Sequence, residues 1–243
     1  MLHSGRNVKM IFDILTIFPN LVAPYFEDSI LKREKLKKTI KVRIHDIRKF
    51  SKERHKKVDD IPYGGGAGMV MTPQPIYDCI KYVRGLSPAV EVNATGGQAD
   101  KKISASERPV IYLSPHGKKL THELATQLSQ KKGLILLCGR YEGIDERIRE
   151  LCIDDEISIG DYVLTGGELP ALVLVDAITR LLPGALGDER SAHQDSFTEA
   201  FEGKKEHPHY TRPPTFNKLE VPEVLRSGDH SKIDAWRKKN LKD

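Results

Sequence analysis

Two apolar runs end in glycine turns at Leu137-Cys138-Gly139-Arg140-Tyr141-Glu142-Gly143-Ile144-Asp145-Glu146-Arg147 and at Ser158-Ile159-Gly160-Asp161-Tyr162-Val163-Leu164-Thr165-Gly166-Gly167-Glu168-Leu169-Pro170. Glycine has no side chain, so the main chain of such turns approaches a small ligand closely. Arg140, Tyr141 and Glu142 directly follow a strand-like run, and the C-terminal ends of parallel strands face the ligand crevice. The two segments therefore predict a pocket that binds its ligand largely through main-chain groups.

Strand-like and helix-like runs alternate around this pocket, as is typical of a parallel α/β sheet. We predict strands at 11–18, 39–47, 110–113, 134–138 and 153–159. We predict helices at 21–36, 74–84, 120–131, 144–151 and 169–182. The expected fold class is thus α/β with a parallel sheet.

The C-terminal part of the chain differs in character from this α/β part. Residues 184–214 are polar, rich in Gly, His and Pro, and show little periodicity, which is typical of a linker. Short helices are predicted within 221–240. We therefore expect an α/β domain at 1–183, a flexible linker at 184–214 and a small helical domain at 215–243. Residues 1–9 are expected to be an extension, because Met10 is a plausible initiator.

The composition describes a globular chain of 243 residues, 39% of them hydrophobic and 30% charged. No apolar run is long enough to span a membrane. Cys79, Cys138 and Cys152 form no CxxC pair, so we expect reduced core cysteines and a cytoplasmic location rather than a zinc site.

Positive charge is concentrated in one part of the chain. Residues 32–57 contain thirteen Lys or Arg and three acidic residues, within a total net charge of +5. Such a concentration is typical of a polyanion partner, most often nucleic acid. A solvated lysine-rich face is the alternative that this feature alone leaves open.

Several motifs resemble known sites without matching them. The glycine loop at Gly64–Gly68 is not followed by Lys-Ser/Thr, and the polar run before it is not expected to be a strand, which excludes a P-loop and a Rossmann fingerprint. A tight turn and a flat wall against a ligand both remain open for it. His207-Pro208-His209-Tyr210 lacks the further ligands of a zinc site, so we expect an RNA-facing or packing role and assign no metal ligand.

Charged residues near the pocket have simpler expected roles. Arg147 and Arg149 are expected to form surface ion pairs with Glu146 or Glu150, and residues 154–156 a solvated turn.

Many separated blocks, in one order, match a known family over nearly the whole chain. They are Asp13-Ile14-Leu15-Thr16, Pro62-Tyr63-Gly64-Gly65-Gly66, Leu113-Ser114-Pro115, the two glycine segments above, Asp195-Ser196-Phe197 and His209-Tyr210-Thr211-Arg212-Pro213. The chain resembles the bacterial tRNA (guanine-37-N1) methyltransferases, which are knotted, SPOUT-type RNA methyltransferases dependent on S-adenosylmethionine.

This resemblance implies a deep C-terminal trefoil knot whose loops hold S-adenosylmethionine in a bent shape. It also implies a tRNA substrate, a homodimer whose subunits share the active site, and a requirement for magnesium, placed near Glu142. Asp195 would come from the partner subunit as the general base, and Arg180 would stabilise charge on guanine O6. An acid that contacts the amine of the cofactor is either Glu202 or Glu206.

The cofactor pocket implied by the resemblance draws on three knot loops. Its residues are Tyr112, Leu113, Ser114, Pro115, Gly117, Gly139, Tyr141, Glu142, Ser158, Ile159, Gly160, Tyr162, Leu164, Gly166, Gly167 and Pro170.

Three rival functions are weaker. A knotted methyltransferase could act on another RNA, such as ribosomal RNA, or on a ribose hydroxyl, but an acid at Asp195 argues against ribose chemistry. An RNA-binding relative without catalysis would have lost Glu142, Arg180 or Asp195, and all three are present. A dinucleotide oxidoreductase lacks its glycine fingerprint.

Overall fold

A computed structural model describes residues 8–85, 104–186 and 195–242. The predicted extension at 1–9 lies largely outside these residues. The chain divides into two compact units, residues 1–185 and 186–243.

The first unit is built on a parallel sheet, and this confirms the predicted α/β class. Its five strands lie in the order β2-β1-β6-β5-β7, and every neighbouring pair is parallel. They are β1 Met10–Thr16, β2 Ile40–Asp46, β5 Val110–Lys119, β6 Gly133–Cys138 and β7 Asp155–Ser158. The described residues also contain a small ladder of β3 Asp59–Asp60 with β4 Val70–Met71.

Helices cover both faces of the sheet. They are α1 Pro19–Val22, α2 Ser29–Leu36, α3 Pro73–Val83, α4 His122–Ser129, α5 Glu146–Cys152 and α6 Glu168–Leu181. Residues of α1, α2, α4 and α6 belong to the apolar cluster on one face, and those of α3 and α5 to the cluster on the other. Because the central strands are covered on both sides, β1 and β6 are buried along their whole length.

The predicted single helix at 21–36 is wrong. The chain instead forms α1, a 3-10 turn at Ala23–Phe26 and then α2. Pro24 cannot donate the main-chain hydrogen bond that the interior of an α-helix requires. The Asp28 carboxylate then accepts a hydrogen bond from the Ser29 amide at 2.6 Å and starts the next helix.

A buried carboxylate on β1 interrupts the apolar core. Asp13 is fully buried and accepts hydrogen bonds from Arg43 Nε at 2.7 Å and from His45 Nε2 at 2.7 Å. Arg108 also forms an ion pair with it. Burial and the nearby Arg43 charge lower the pKa of His45 to about 4, so the imidazole is neutral at pH 7 and donates its Nε2 proton.

The three cysteines are buried and unpaired, as predicted. Burial raises the pKa of the Cys79 and Cys138 thiols well above the usual value. No helix among the described residues is long and apolar enough to cross a membrane.

The second unit contains short elements. They are β8 Thr215–Phe216, paired with β9 Leu219–Glu220, and the helices α7 Glu223–Arg226 and α8 His230–Lys239. Trp236 of α8 packs edge-on against His207 at 6.1 Å and against Tyr210 at 6.3 Å. The finer division into linker and helical domain stays a prediction.

Candidate functional site

A cavity of about 270 Å³ lies where β5, β6 and β7 end. Three loops line it: the residues after Leu113, those after Cys138 and those from Ser158 to Pro170. Of the sixteen residues predicted for a cofactor pocket, all but Gly117 line this cavity.

The first loop is a bulge within β5. Both Leu113 and Lys118 pair with Ile157 of β7, so the residues between them leave the ladder. The Ser114 hydroxyl accepts a hydrogen bond from the His116 amide at 3.1 Å. Gly117 lies so close to the main chain of Glu156 and Ile157 that a Cβ would overlap it. Gly117 thus supports the loop from behind instead of lining the cavity.

The second loop holds a non-glycine residue in the left-handed region. Tyr141 has a φ of 61° and its side chain is about half exposed at the cavity. Such strain persists only where the surroundings impose it, and it is concentrated at functional sites. Here the Gly143 amide donates to Arg140 O at 3.1 Å and the Glu142 amide to Met69 O at 3.0 Å.

The third loop turns back on itself around Gly160. The Ser158 hydroxyl donates to Gly160 O at 3.0 Å, and the Tyr162 hydroxyl donates to Ile159 O at 3.3 Å. The Tyr162 ring lies against Gly160, where a Cβ would overlap it. The Gly167 amide donates to Gly139 O at 2.9 Å and so fixes the third loop to the second.

The glycine loop at Gly64–Gly68 closes the small β3–β4 ladder. Gly64, Gly65, Gly66 and Gly68 all have positive φ. The polar run before the loop was not expected to form a strand, but part of it forms β3. This strand has only two residues, which is too short to show a hydrophobic period in the sequence. Beyond the loop, the Met71 amide donates to Gly143 O at 2.9 Å. The Glu142 side chain fills the space beside Gly68.

Arg149 lines the cavity, which the sequence did not reveal. Its guanidinium lies 5.3 Å from the centre of the Tyr112 ring and 3.4 Å from Glu156 Oε1. It also pairs with Glu146, as predicted, at 3.6 Å. Arg147 pairs with Asp145 instead of Glu146 or Glu150. Burial raises the pKa of Tyr112, while the Arg149 charge opposes that rise.

The acidic run at 154–156 is not a solvated turn. Asp155 and Glu156 belong to β7, and Asp154 Oδ2 accepts a hydrogen bond from the Val110 amide at 2.8 Å and pairs with Arg84 at 2.6 Å. The sequence suggested a solvated run because the residues that bind these acids are distant in sequence.

Glu168 is the other residue that the sequence did not reveal. It is 3% exposed, and its carboxylate accepts hydrogen bonds from Thr16 Oγ1 at 2.7 Å and from Arg140 Nε at 2.9 Å. A Gly-Gly-Glu-Leu-Pro sequence is typical of the start of a helix. It therefore gives no indication that the glutamate binds residues distant in sequence.

The two predicted catalytic residues do not line the cavity. Arg180 lies in the last turn of α6, ten residues beyond Pro170, which corresponds to about 15 Å along a helix. Asp195 belongs to the second unit, where its carbonyl oxygen accepts a hydrogen bond from Thr198 Oγ1 at 2.7 Å. Phe197, in the same turn, is 53% exposed.

The remaining candidates lie in the second unit as well. Glu206 Oε2 lies 2.9 Å from His209 Nε2, and Glu202 lies 3.6 Å from Lys238 Nζ. Across the described ranges, no three His, Cys, Asp or Glu side chains form a group that could hold a metal ion.

Fold and cavity together define a class: an α/β protein whose main-chain loops, at the C-terminal ends of parallel strands, enclose a site for a small cofactor. The sequence model of the family "tRNA (Guanine-1)-methyltransferase TrmD" matches residues 10–243. The chain belongs to this family.

Similar proteins carry the same description. A tRNA (guanine-N(1)-)-methyltransferase of Clostridioides difficile (strain 630) is 52% identical over 229 residues, 94% of this chain and 91% of that protein. One from Alkaliphilus metalliredigens (strain QYMF) is 52% identical over 226 residues, 93% and 84% of the two chains. One from Dehalococcoides mccartyi is 46% identical over 230 residues, 95% and 85% of the two chains.

Proposed function

We propose that this chain transfers a methyl group from S-adenosylmethionine to N1 of guanosine 37 in tRNA, in the cytoplasm. The observation that carries the proposal is the cavity, because three glycine turns bring main-chain groups around one small space. Membership of the family supplies the reaction, and the resemblance supplies the position in tRNA.

The residues present fit the cofactor. Gly139, Gly160 and Gly167 line the cavity, and at each of them a Cβ would overlap other atoms of the protein, so only glycine lets the loops pack this closely around the space for the adenosyl group. When bound, the cofactor supplies an activated methyl on a sulfonium. The main chain from Ile159 to Leu164 would bind the adenine edge, and the loops would orient the methyl toward the base.

Asp195 is proposed as the general base. Guanine N1 carries a proton at the position that must attack, and a carboxylate within hydrogen-bond reach can remove it. The Asp195 carboxylate would take this proton as N1 receives the methyl group that the sulfonium of the cofactor would supply. Arg180 would stabilise the charge that develops on O6.

A homodimer would explain why Arg180 is separate from the cavity of its own chain. Arg180 lies about 15 Å along α6 from the cavity-lining Pro170. We propose that the partner subunit supplies both Arg180 and Asp195 to each cavity.

An exposed apolar surface is available for the second copy. Leu21 and Tyr25, on α1 and the turn after it, are 57% and 47% exposed. Leu169 and Val173 of α6 are 61% and 45% exposed, and α1 packs on α6. Contiguous apolar surface of this kind is typical of an interface between copies. Leu169 directly precedes Pro170, so a partner there would lie at the cavity.

The trefoil knot is proposed on the tight packing of the three loops. Gly117 against β7 and Gly167 against Cys138 leave no room for a Cβ, so segments distant in sequence are in direct main-chain contact, which supports the knot that the resemblance implies.

The remaining predictions concern RNA and metal. The basic stretch 32–57 would bind tRNA phosphates, with Lys32 and Lys38 exposed on and after α2. Magnesium is expected from the resemblance alone. The described residues contain no group of three side chains that could hold a metal ion, so no step of the proposed reaction is assigned to magnesium.

Binding of the cofactor is the first test of the proposal. Calorimetry with S-adenosylmethionine should show saturable binding to the purified protein, and Gly167→Ala, whose Cβ would lie 2.8 Å from Cys138 Cα, should abolish it. If the variant bound S-adenosylmethionine as tightly as the parent, the cavity would not be the cofactor site.

A further inference from the structure

One ion pair joins two of the cavity loops. Arg140, on the second loop, places Nε 2.9 Å from Glu168 Oε2 and donates from Nη1 to Thr165 O at 3.0 Å. The Arg140 side chain is 16% exposed and that of Glu168 is 4% exposed. Water is therefore largely excluded from the pair.

The same pair also reaches the end of β1. Glu168 Oε1 accepts a hydrogen bond from Thr16 Oγ1 at 2.7 Å, and Thr16 Oγ1 accepts one from the Phe18 amide at 2.9 Å. The Arg140 guanidinium lies 4.8 Å from the centre of the Phe18 ring. Three chain segments distant in sequence are thus fixed to one another.

The contact requires glycine on the third loop. Arg140 and Gly166 form an isolated antiparallel bridge, and a Cβ on Gly166 would overlap the Arg140 side chain. The guanidinium therefore packs directly on the main chain whose inner side lines the cavity.

We propose that Arg140 is a positioning residue for the cofactor: through Glu168 and Thr165 O it holds the third loop at the spacing that binds S-adenosylmethionine. This inference rests on the proposed function. Arg140 itself lines the cavity, and its guanidinium donates to Glu168 and to Thr165 O, so its loss should affect cofactor affinity and leave proton removal unchanged.

Lysine should not replace Arg140. The guanidinium offers Nε to Glu168 and Nη1 to Thr165 O at the same time, in a rigid planar fork. An ammonium group keeps the charge but is a single point, so it would satisfy one partner and release the other.

The test is a double-mutant cycle of Arg140→Lys with Glu168→Gln, read by calorimetry with S-adenosylmethionine. Each single change should raise the dissociation constant about tenfold, and the double change should raise it about tenfold rather than about a hundredfold, because both break one interaction. In steady state, the KM for the cofactor should rise while kcat and the KM for tRNA stay within about twofold of the parent values.

A matched control is available in Arg84→Lys, which alters an Arg–Asp154 pair of 2.6 Å that lies outside the cavity lining. This control should bind the cofactor as the parent does. Parent-like affinity in Arg140→Lys, or fully additive effects in the cycle, would overturn the inference. So would a parallel loss of melting temperature, tRNA affinity and cofactor affinity, since that is a general structural defect. A parent that binds no cofactor would overturn the proposed function itself.

Discussion

The hydroxyl oxygen of Tyr112 lies against Gly139, where a Cβ would be only 2.7 Å from it. Tyr112 lies in β5, Gly139 directly follows the neighbouring strand β6, and both residues line the cavity. The Tyr112 ring is buried and also contacts the Arg149 guanidinium, so it has little room to move.

Gly139→Ala should therefore displace Tyr112 or the second loop. We expect the dissociation constant for S-adenosylmethionine to rise by about tenfold to a hundredfold, as displacement by an ångström does at preorganised sites. Calorimetry measures this. Thr126→Ala on α4 is the control, because this exposed residue lies outside the cavity lining. Equal affinity in Gly139→Ala would contradict the packing argument.

Asp195→Asn tests the base. The amide keeps the size and polarity of the carboxylate but cannot take the N1 proton, so kcat should fall by about 10²–10⁴. Cofactor and tRNA affinities should stay at parent values, as measured by calorimetry and filter binding. Parent-like turnover would remove Asp195 from the mechanism.

Mixing the two variants tests whether subunits share a site. In a mixed dimer of Asp195→Asn with Gly139→Ala, one cavity keeps its loops and receives Asp195 from the partner. Equal co-expression should thus restore about a quarter of parent activity from two weak variants, since half the dimers are mixed and half their sites are intact. If activity stays at the level of the separate variants, each site is built from one chain.

The basic stretch should act through phosphates. Lys32→Gln with Lys38→Gln removes two exposed charges, so tRNA affinity should fall and its logarithmic salt slope should shrink by about 2. Lys132→Gln, at an exposed residue outside the stretch, is the control. An unchanged slope in the double variant would indicate a merely solvated face.

His45 should make stability depend on pH. Its pKa is lowered to about 4 in the folded protein, so the unfolded chain binds an extra proton between about pH 4 and 6.5. Stability from this group is present above pH 6.5 and is lost as the pH falls toward 4. Between pH 7 and 5 the parent should lose about 2 kcal/mol more than His45→Gln in denaturant titrations. If the stability of the parent and of His45→Gln changed equally with pH, the lowered pKa of His45 would be contradicted.

The sequence predicted the elements whose signal is local. Continuous apolar runs identified β1 and β6, and the ordered glycine motifs identified the cavity residues, because those motifs are set by close main-chain contacts. Contacts between distant positions could not be predicted in this way. Arg149 packs on Tyr112, and Arg140 pairs with Glu168, through folding that periodicity does not record.

Local chemistry was also misread where two signals compete. The apolar spacing between Leu21 and Leu36 favours one helix, but Pro24 and the Asp28 cap divide it. The acids at 154–156 look like a turn, although β7 begins among them because Asp154 bonds to the start of β5.

Methyl transfer tests the central claim most directly. Labelled S-adenosylmethionine is incubated with a tRNA transcript that has guanosine at positions 36 and 37, beside one with adenosine at 37, and the product is mapped by mass spectrometry. The account predicts label on the first transcript alone, on N1 of guanosine 37. Label on both transcripts, on another atom or on neither would contradict it.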